Sequence, residues 1–173
     1  MKSLRRGLMA ATLGLLGSLS IAAHASTVLN IPFSAGTATP VAGGDPCINA
    51  NIGYAPSTIS QCTVDVPIPV PAGHTIQQIA VIHDTSWGGN GPPTIDARLQ
   101  TQSSSPFVHF DKFFWVSQSL ASFGTVNLLM NEIVINGSHV YFDQFSTQPD
   151  TLYHVTVTLQ GSAVFEGLRV TYL

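Results

Sequence analysis

Residues 151–172, TLYHVTVTLQGSAVFEGLRVTY, decide how the whole chain is read. Tyr153, Val155, Val157 and Leu159 alternate with His154, Thr156 and Thr158, and a strict period of two marks a β-strand with one buried face and one wet face. Gly161 and Ser162 interrupt the pattern, and Val164, Phe165, Leu168, Val170 and Tyr172 resume it. The spacing predicts two strands, 151–160 and 164–172, joined by a tight turn and paired antiparallel.

Working outward, the same short alternation recurs at 28–33, 63–70, 75–84 and 94–102, and no segment carries a long helical period. Segments 126–135 and 139–145 flank Asn136-Gly137, the strongest short signal for a two-residue hairpin. Residues 34–61 read as loop-rich, as does the Gly- and Pro-rich run 86–93 that holds Trp87. The aromatic segment 107–115 fits strand alternation and a helical face about equally; strand or irregular structure is the better reading. About eight strands with short turns predict an all-β fold: a single antiparallel β-sandwich, jelly-roll-like in topology. There is no internal repeat and no linker between domains.

Within 63–70, Val64, Val66, Ile68 and Val70 share one face, while Pro67, Pro69 and Pro71 follow at alternate positions. Proline has no N–H, and alternate N–H groups of a strand point to the same side. The segment is therefore expected to be an edge strand whose outer edge cannot accept another strand by hydrogen bonding. Gly73 then turns the chain into 75–84, where apolar residues on both parities predict an interior strand or one that bends.

The first 25 residues have the pattern of a cleaved signal peptide: Lys2, Arg5 and Arg6, an apolar stretch from Leu8 to Ile21, and Ala23-His24-Ala25 as the cleavage site. Arg5-Arg6 also permits a twin-arginine reading, although the flanking residues match that signal only in part. Residues 26–173 are then one β-sandwich domain of ordinary size, secreted or periplasmic, with no membrane span once the leader is removed. Of six Lys and Arg residues, only Arg98, Lys112 and Arg169 lie beyond the leader, against nine acids. Such a balance excludes a phosphate-backbone partner, so no nucleic acid is expected. Cys47 and Cys62 are the only two cysteines, and in an exported chain they predict a disulfide.

Cys62, Val70-Pro71-Ala72-Gly73, Ile76 and Asp84 occur in an order that resembles uncharacterised exported bacterial β-domain proteins with an L/V-P-x-G-x-x-I motif. Ala97-Arg98-Leu99 and the closing Gly167-Leu168-Arg169-Val170-Thr171-Tyr172 continue the likeness over most of the chain beyond the leader. The resemblance implies a secreted β-sandwich and no catalytic residue.

His83-Asp84, with Asp96 and Arg98 on what would be a nearby strand, is the most site-like group, because an imidazole beside a carboxylate suits proton transfer or ligand binding. Adjacent strand residues point to opposite faces, however, and Asp84 is equally suited to start a turn by accepting backbone N–H bonds. The five histidines beyond the leader form no paired zinc-ligand spacing, so no metal is expected. A Ca²⁺ site on Asp45, Asn49 and Asn51 or in the 84–96 loop has no EF-hand spacing behind it. No G-x-S-x-G elbow or unpaired Cys offers a nucleophile. Phe107, Phe110, Phe113, Phe114, Trp115 and Trp87 could stack on sugar rings or simply cap the core.

Three functions follow. The first is a noncatalytic exported sandwich with a structural or surface-interaction role. The second is a carbohydrate-binding module using Trp87 and Trp115, with His83 and Asp84 as further contacts. A small secreted hydrolase is the third. Glycan or protein surfaces are the partners these readings imply, and none of them needs a cofactor.

Overall fold

The computed structural model describes residues 25–173, apart from 40–46, 51, 58–60, 87, 89–90, 104–113, 131, 136–137 and 142–144. The described chain is almost entirely extended. Its strands are β1 (Thr27–Pro32), β2 (Thr37–Thr39), β3 (Cys47–Asn49), β4 (Tyr54–Pro56), β5 (Cys62–Pro67), β6 (Thr75–Asp84), β7 (Thr94–Ser103), β8 (Phe114–Ser119), β9 (Gly124–Asn127), β10 (Leu129–Met130), β11 (Glu132–Ile135), β12 (Ser138–Tyr141), β13 (Phe145–Ser146), β14 (Thr151–Gln160) and β15 (Val164–Tyr172). A single 3-10 turn, Phe33–Ala35, interrupts them. No helix among the described residues is long and apolar enough to cross a membrane.

Two antiparallel sheets pack face to face, and β11 and β12 form a separate ribbon. In the first sheet β15 lies between β6 and the short strands β1 and β4; β9 and β13 flank β6, and β3 lies outside β4. The second sheet runs β10, β8, β7, β14, β5, β2. β6 pairs with β15 and β7 with β14, while the β6–β7 and β14–β15 connections both cross from one sheet to the other. That nesting gives the sandwich its jelly-roll character.

Alternation explains the core. Tyr153, Val155, Val157 and Leu159 of β14 are all buried, as are Val64 and Val66 of β5 and Ile95, Ala97 and Leu99 of β7. They meet Ile76, Ile79 and Val81 of β6 and Phe165, Leu168 and Val170 of β15 in one apolar cluster. Register shifts keep the inward rows continuous. One falls between Phe165 and Gly167 and one between Thr171 and Tyr172 opposite β6, so that Ile76 faces inward with Ile79 despite its different parity. The expected bend in 75–84 is this irregularity.

Several sequence expectations need correction. First, β14 and β15 are not partners: they belong to opposite sheets. Gly161 adopts φ 62°, a left-handed turn conformation that suits glycine, and the chain folds over the core there because both strands have apolar rows to bury against each other. Second, β5 is not an edge along its whole length, because β2 pairs with Thr63, Val64 and Asp65. Third, 34–61 holds β2, β3 and β4 as well as loops. Fourth, 126–135 is not one strand; β9 pairs in the first sheet and β10 in the second, and Leu128, buried between them, carries the chain across. β11 and β12 pair antiparallel up to Ile135 opposite Ser138, but the expected strand 139–145 does not continue in that ribbon. Phe145 belongs to β13, which pairs with β6 in the first sheet, and residues 136–137 lie outside the described ones.

The proline reading applies to the end of β5. Ile68 donates its N–H to the Tyr153 carbonyl at 2.8 Å, so the alternate position, Pro67, turns its nitrogen away from β14. Pro69 and Pro71 lie past the end of the strand, which stops at Pro67 instead of the expected Val70. Cys47 and Cys62 form the expected disulfide, with 5.1 Å between Cα atoms, and it ties β3 of the first sheet to β5 of the second. Thr147, 2% exposed, holds the turn that follows the prolines. Its hydroxyl donates to the Pro71 carbonyl (2.6 Å) and accepts from the His74 N–H (3.1 Å); its N–H donates to the His74 carbonyl (2.7 Å) and its carbonyl accepts from the Gly73 N–H (2.9 Å). Gly73 itself sits at φ 82°.

Two stability changes follow, both read from urea unfolding midpoints. Cys47→Ala with Cys62→Ala opens a loop spanning 15 positions and should cost about 3 kcal/mol. Thr147→Val keeps the shape but strands the Pro71 carbonyl and the His74 N–H, and should cost about 1–3 kcal/mol.

Candidate functional site

The inward face of the second sheet is filled by the core, which leaves its outward face to polar side chains. β7 contributes Thr94, Asp96, Arg98 and Gln100, β14 contributes Thr156, Thr158 and Gln160, β8 contributes Ser117 and Ser119, and Gln61 closes the row just before β5. Together with Gln118 they line an open groove of about 740 Å³. Among the described residues Ile95 is the one apolar residue on its wall, and at 1% exposure its side chain belongs to the core.

Cross-strand register assembles this face. Thr156 pairs with Arg98, His154 with Gln100 and Thr158 with Asp96 across β7 and β14, while Asp96 pairs with Ser117 across β7 and β8. Directly opposed residues lie on the same face of a sheet. Arg98 binds Asp96 through two parallel contacts, Nε to Oδ1 at 2.8 Å and a terminal guanidinium nitrogen to Oδ2 at 3.1 Å. This fork aligns both side chains along the groove floor; the guanidinium pKa is raised, first by that hydrogen bond and then by the carboxylate charge. The pair is solvent-facing, so its value is orientation more than stability.

Two side-chain bridges form a ridge at the proline end of the groove. The His154 Nε2 and Gln100 Oε1 are 3.0 Å apart, and the Thr156 hydroxyl donates to Asp65 at 2.6 Å. Beyond the ridge lies a second recess of about 510 Å³, bounded by Pro67, Ile68, Pro69, Val70, Leu152 and Tyr153 with Asp65 and His154. Leu152 is 69% exposed there. One polar and one largely apolar hollow thus share a wall on the same sheet face.

The residues singled out in sequence do not converge. β6, carrying His83 and Asp84, and β7, carrying Asp96 and Arg98, lie in different sheets. His83 points into the sandwich and is 4% exposed, and its Nδ1 has no hydrogen-bond partner among the described residues. Gly124 is its cross-strand neighbour. Burial pushes the His83 pKa below 6.5, against a smaller opposing pull from Asp84. Asp84 instead caps the end of β6, accepting N–H bonds from Thr85 (2.6 Å) and Ser86 (3.1 Å) and a bond from the Ser86 hydroxyl (2.5 Å). These contacts, the Ser86 hydroxyl foremost, lower its pKa. Glu166 is shifted up by burial, with the Asp84 charge adding to the effect.

Trp87 lies outside the described residues, as do Phe107, Phe110, Phe113, Asp45 and Asn51. The backbone of Trp115 belongs to β8 at the position opposite Arg98, with the parity of Ser117 and Ser119. Among the described residues no group of three His, Cys, Asp or Glu side chains is placed to hold a metal ion. The groove residues beyond Asp96 and Arg98 were not singled out in sequence, although the outward parity of His154, Thr156 and Thr158 was the available signal. The chain matches no family model and no curated protein.

Chemically, the groove offers hydroxyl and amide donors and acceptors plus one internally neutralised charge pair. Its carboxylate, Asp96, is engaged by Arg98, and Asp65 at the ridge by Thr156. His83 instead makes stability depend on pH. An unfolded chain protonates its histidines near 6.5 while buried His83 stays neutral, so folding stability is full above that pH and falls as pH drops from 6.5 toward the lowered folded value. His83→Gln should shrink the difference in urea midpoint between about pH 7.5 and about pH 5.5 relative to wild type.

Proposed function

We propose that the protein is an exported, noncatalytic β-sandwich module that binds a glycan on the outward face of its second sheet. The observation that carries this reading is the groove itself: a recess of about 740 Å³ whose side chains are almost all hydroxyls, amides and one Arg–Asp pair. A polyhydroxylated ligand exchanges its hydrogen bonds with water for bonds to such a surface at little net loss, and a rigid sheet holds the partners in place beforehand. A purely structural role accounts for the disulfide and the prolines but gives no reason for a hollow lined this way. Export is supported by the leader pattern of residues 1–25, by the small number of charged side chains and by the disulfide.

The test is a titration of the mature protein with a panel of soluble polysaccharides, followed by tryptophan fluorescence and calorimetry. Saturable binding is expected. Arg98→Ala and Gln100→Ala should each weaken it about tenfold or more, the scale of one lost hydrogen bond to or from a polar or charged group, while Trp87→Ala leaves it. Binding that survives both groove substitutions and disappears in Trp87→Ala would move the site to the 86–93 loop and refute the sheet-face assignment.

A further inference from the structure

Resting on the glycan reading, we infer that the groove is selective for neutral polysaccharides and discriminates against uronic-acid and sulfated ones. Charge placement carries this. Among the described residues Arg98 is the cation of the groove wall, and it hydrogen-bonds Asp96 at 2.8 and 3.1 Å. An anionic sugar would have to displace a carboxylate already held in the fork geometry that guanidinium groups favour. A further charge on this face among the described residues is Asp65, which anchors Thr156 at the ridge and would repel an anion. Six Lys and Arg against nine Asp and Glu over the full sequence leave no positive field to draw one in.

Asp96 therefore acts as a specificity element. It positions the guanidinium and cancels its charge, so the groove presents N–H donors without a net attraction for anions. Thr156 and Thr158 on one side and Ser117 and Ser119 on the other supply the uncharged partners that a chain of hydroxyls needs.

The experiment compares neutral glucans, xylans and mannans with polygalacturonate, alginate and a sulfated galactan on wild type, Asp96→Asn and the double variant Asp96→Asn with Arg98→Gln. Wild type should bind at least one neutral polymer, with an affinity that changes less than twofold between about 0.05 and about 0.5 M salt, because no counterions are released. Asp96→Asn frees the guanidinium and should raise affinity for an acidic polymer about tenfold or more, in a salt-sensitive way. The double variant, neutral again, should lose that gain while folding as wild type by circular dichroism. Wild-type preference for an acidic polymer overturns the selectivity inference but leaves the glycan site standing; so does an Asp96→Asn protein that folds and gains nothing. Absence of binding to every polymer, neutral and acidic, removes the glycan reading itself.

Discussion

Everything in this molecule depends on the dry seam between the two sheets, and above all on the row Tyr153, Val155, Val157 and Leu159 that β14 presents to it. Those four side chains are buried on one face only because the alternate residues are polar, and that division of labour is repeated along β5 and β7. Burying apolar surface at roughly 25 cal/mol per Å² is the main favourable term available to such a fold. The second sheet commits its inward side chains to that seam. Its outward side chains, released from packing, are where a polar groove can be assembled without cost to the core.

The groove and the seam are thus two faces of one strand pattern. Because β7 and β14 pair over ten positions, the outward residues of both are fixed in rows with little freedom to slip; a one-residue shift would exchange Thr156 and Thr158 for Val155 and Val157 and bury the wrong set. Rigidity at the Arg98–Asp96 pair comes from the same source. Two residues apart on one strand, they share a face, and the fork between them needs no support from a loop.

Sequence made much of this legible, and the limits have physical causes. Alternation identified β14, β7 and most of β5 because each is long enough to show a period, and the Asn136-Gly137 signal pointed to the pairing of β11 with β12. β2, β3 and β4 span three residues apiece, too few for any period to declare itself. Which strands pair is a separate matter: Gly161-Ser162 looks like a hairpin turn whether the chain returns to the same sheet or passes to the other, and only the burial needs of Phe165, Leu168 and Val170 decide. The site suffered in the same way. Asp96 and Arg98 stood out as charges, and the outward threonines of β14 were readable, but their meeting with Ser117 and Gln61 depends on strand order. His83, attractive in sequence for its carboxylate neighbour, turned inward, as the alternation of adjacent residues required.

The placement of β15 also governs when the fold can form. The last strand of the chain runs between β6 on one side and β1 and β4 on the other, and β1 pairs with it from Thr27↔Tyr172 to Pro32↔Gly167. Without residues 164–172 the described strands of the first sheet fall into three pieces: β6 with β9 and β13, β3 with β4, and β1 alone. Contacts of such sequence separation form late and slowly. The second sheet, whose pairings all lie before residue 161, can therefore assemble without β15, whereas the first sheet is complete only once residues 164–172 pair with β1 on one side and β6 on the other.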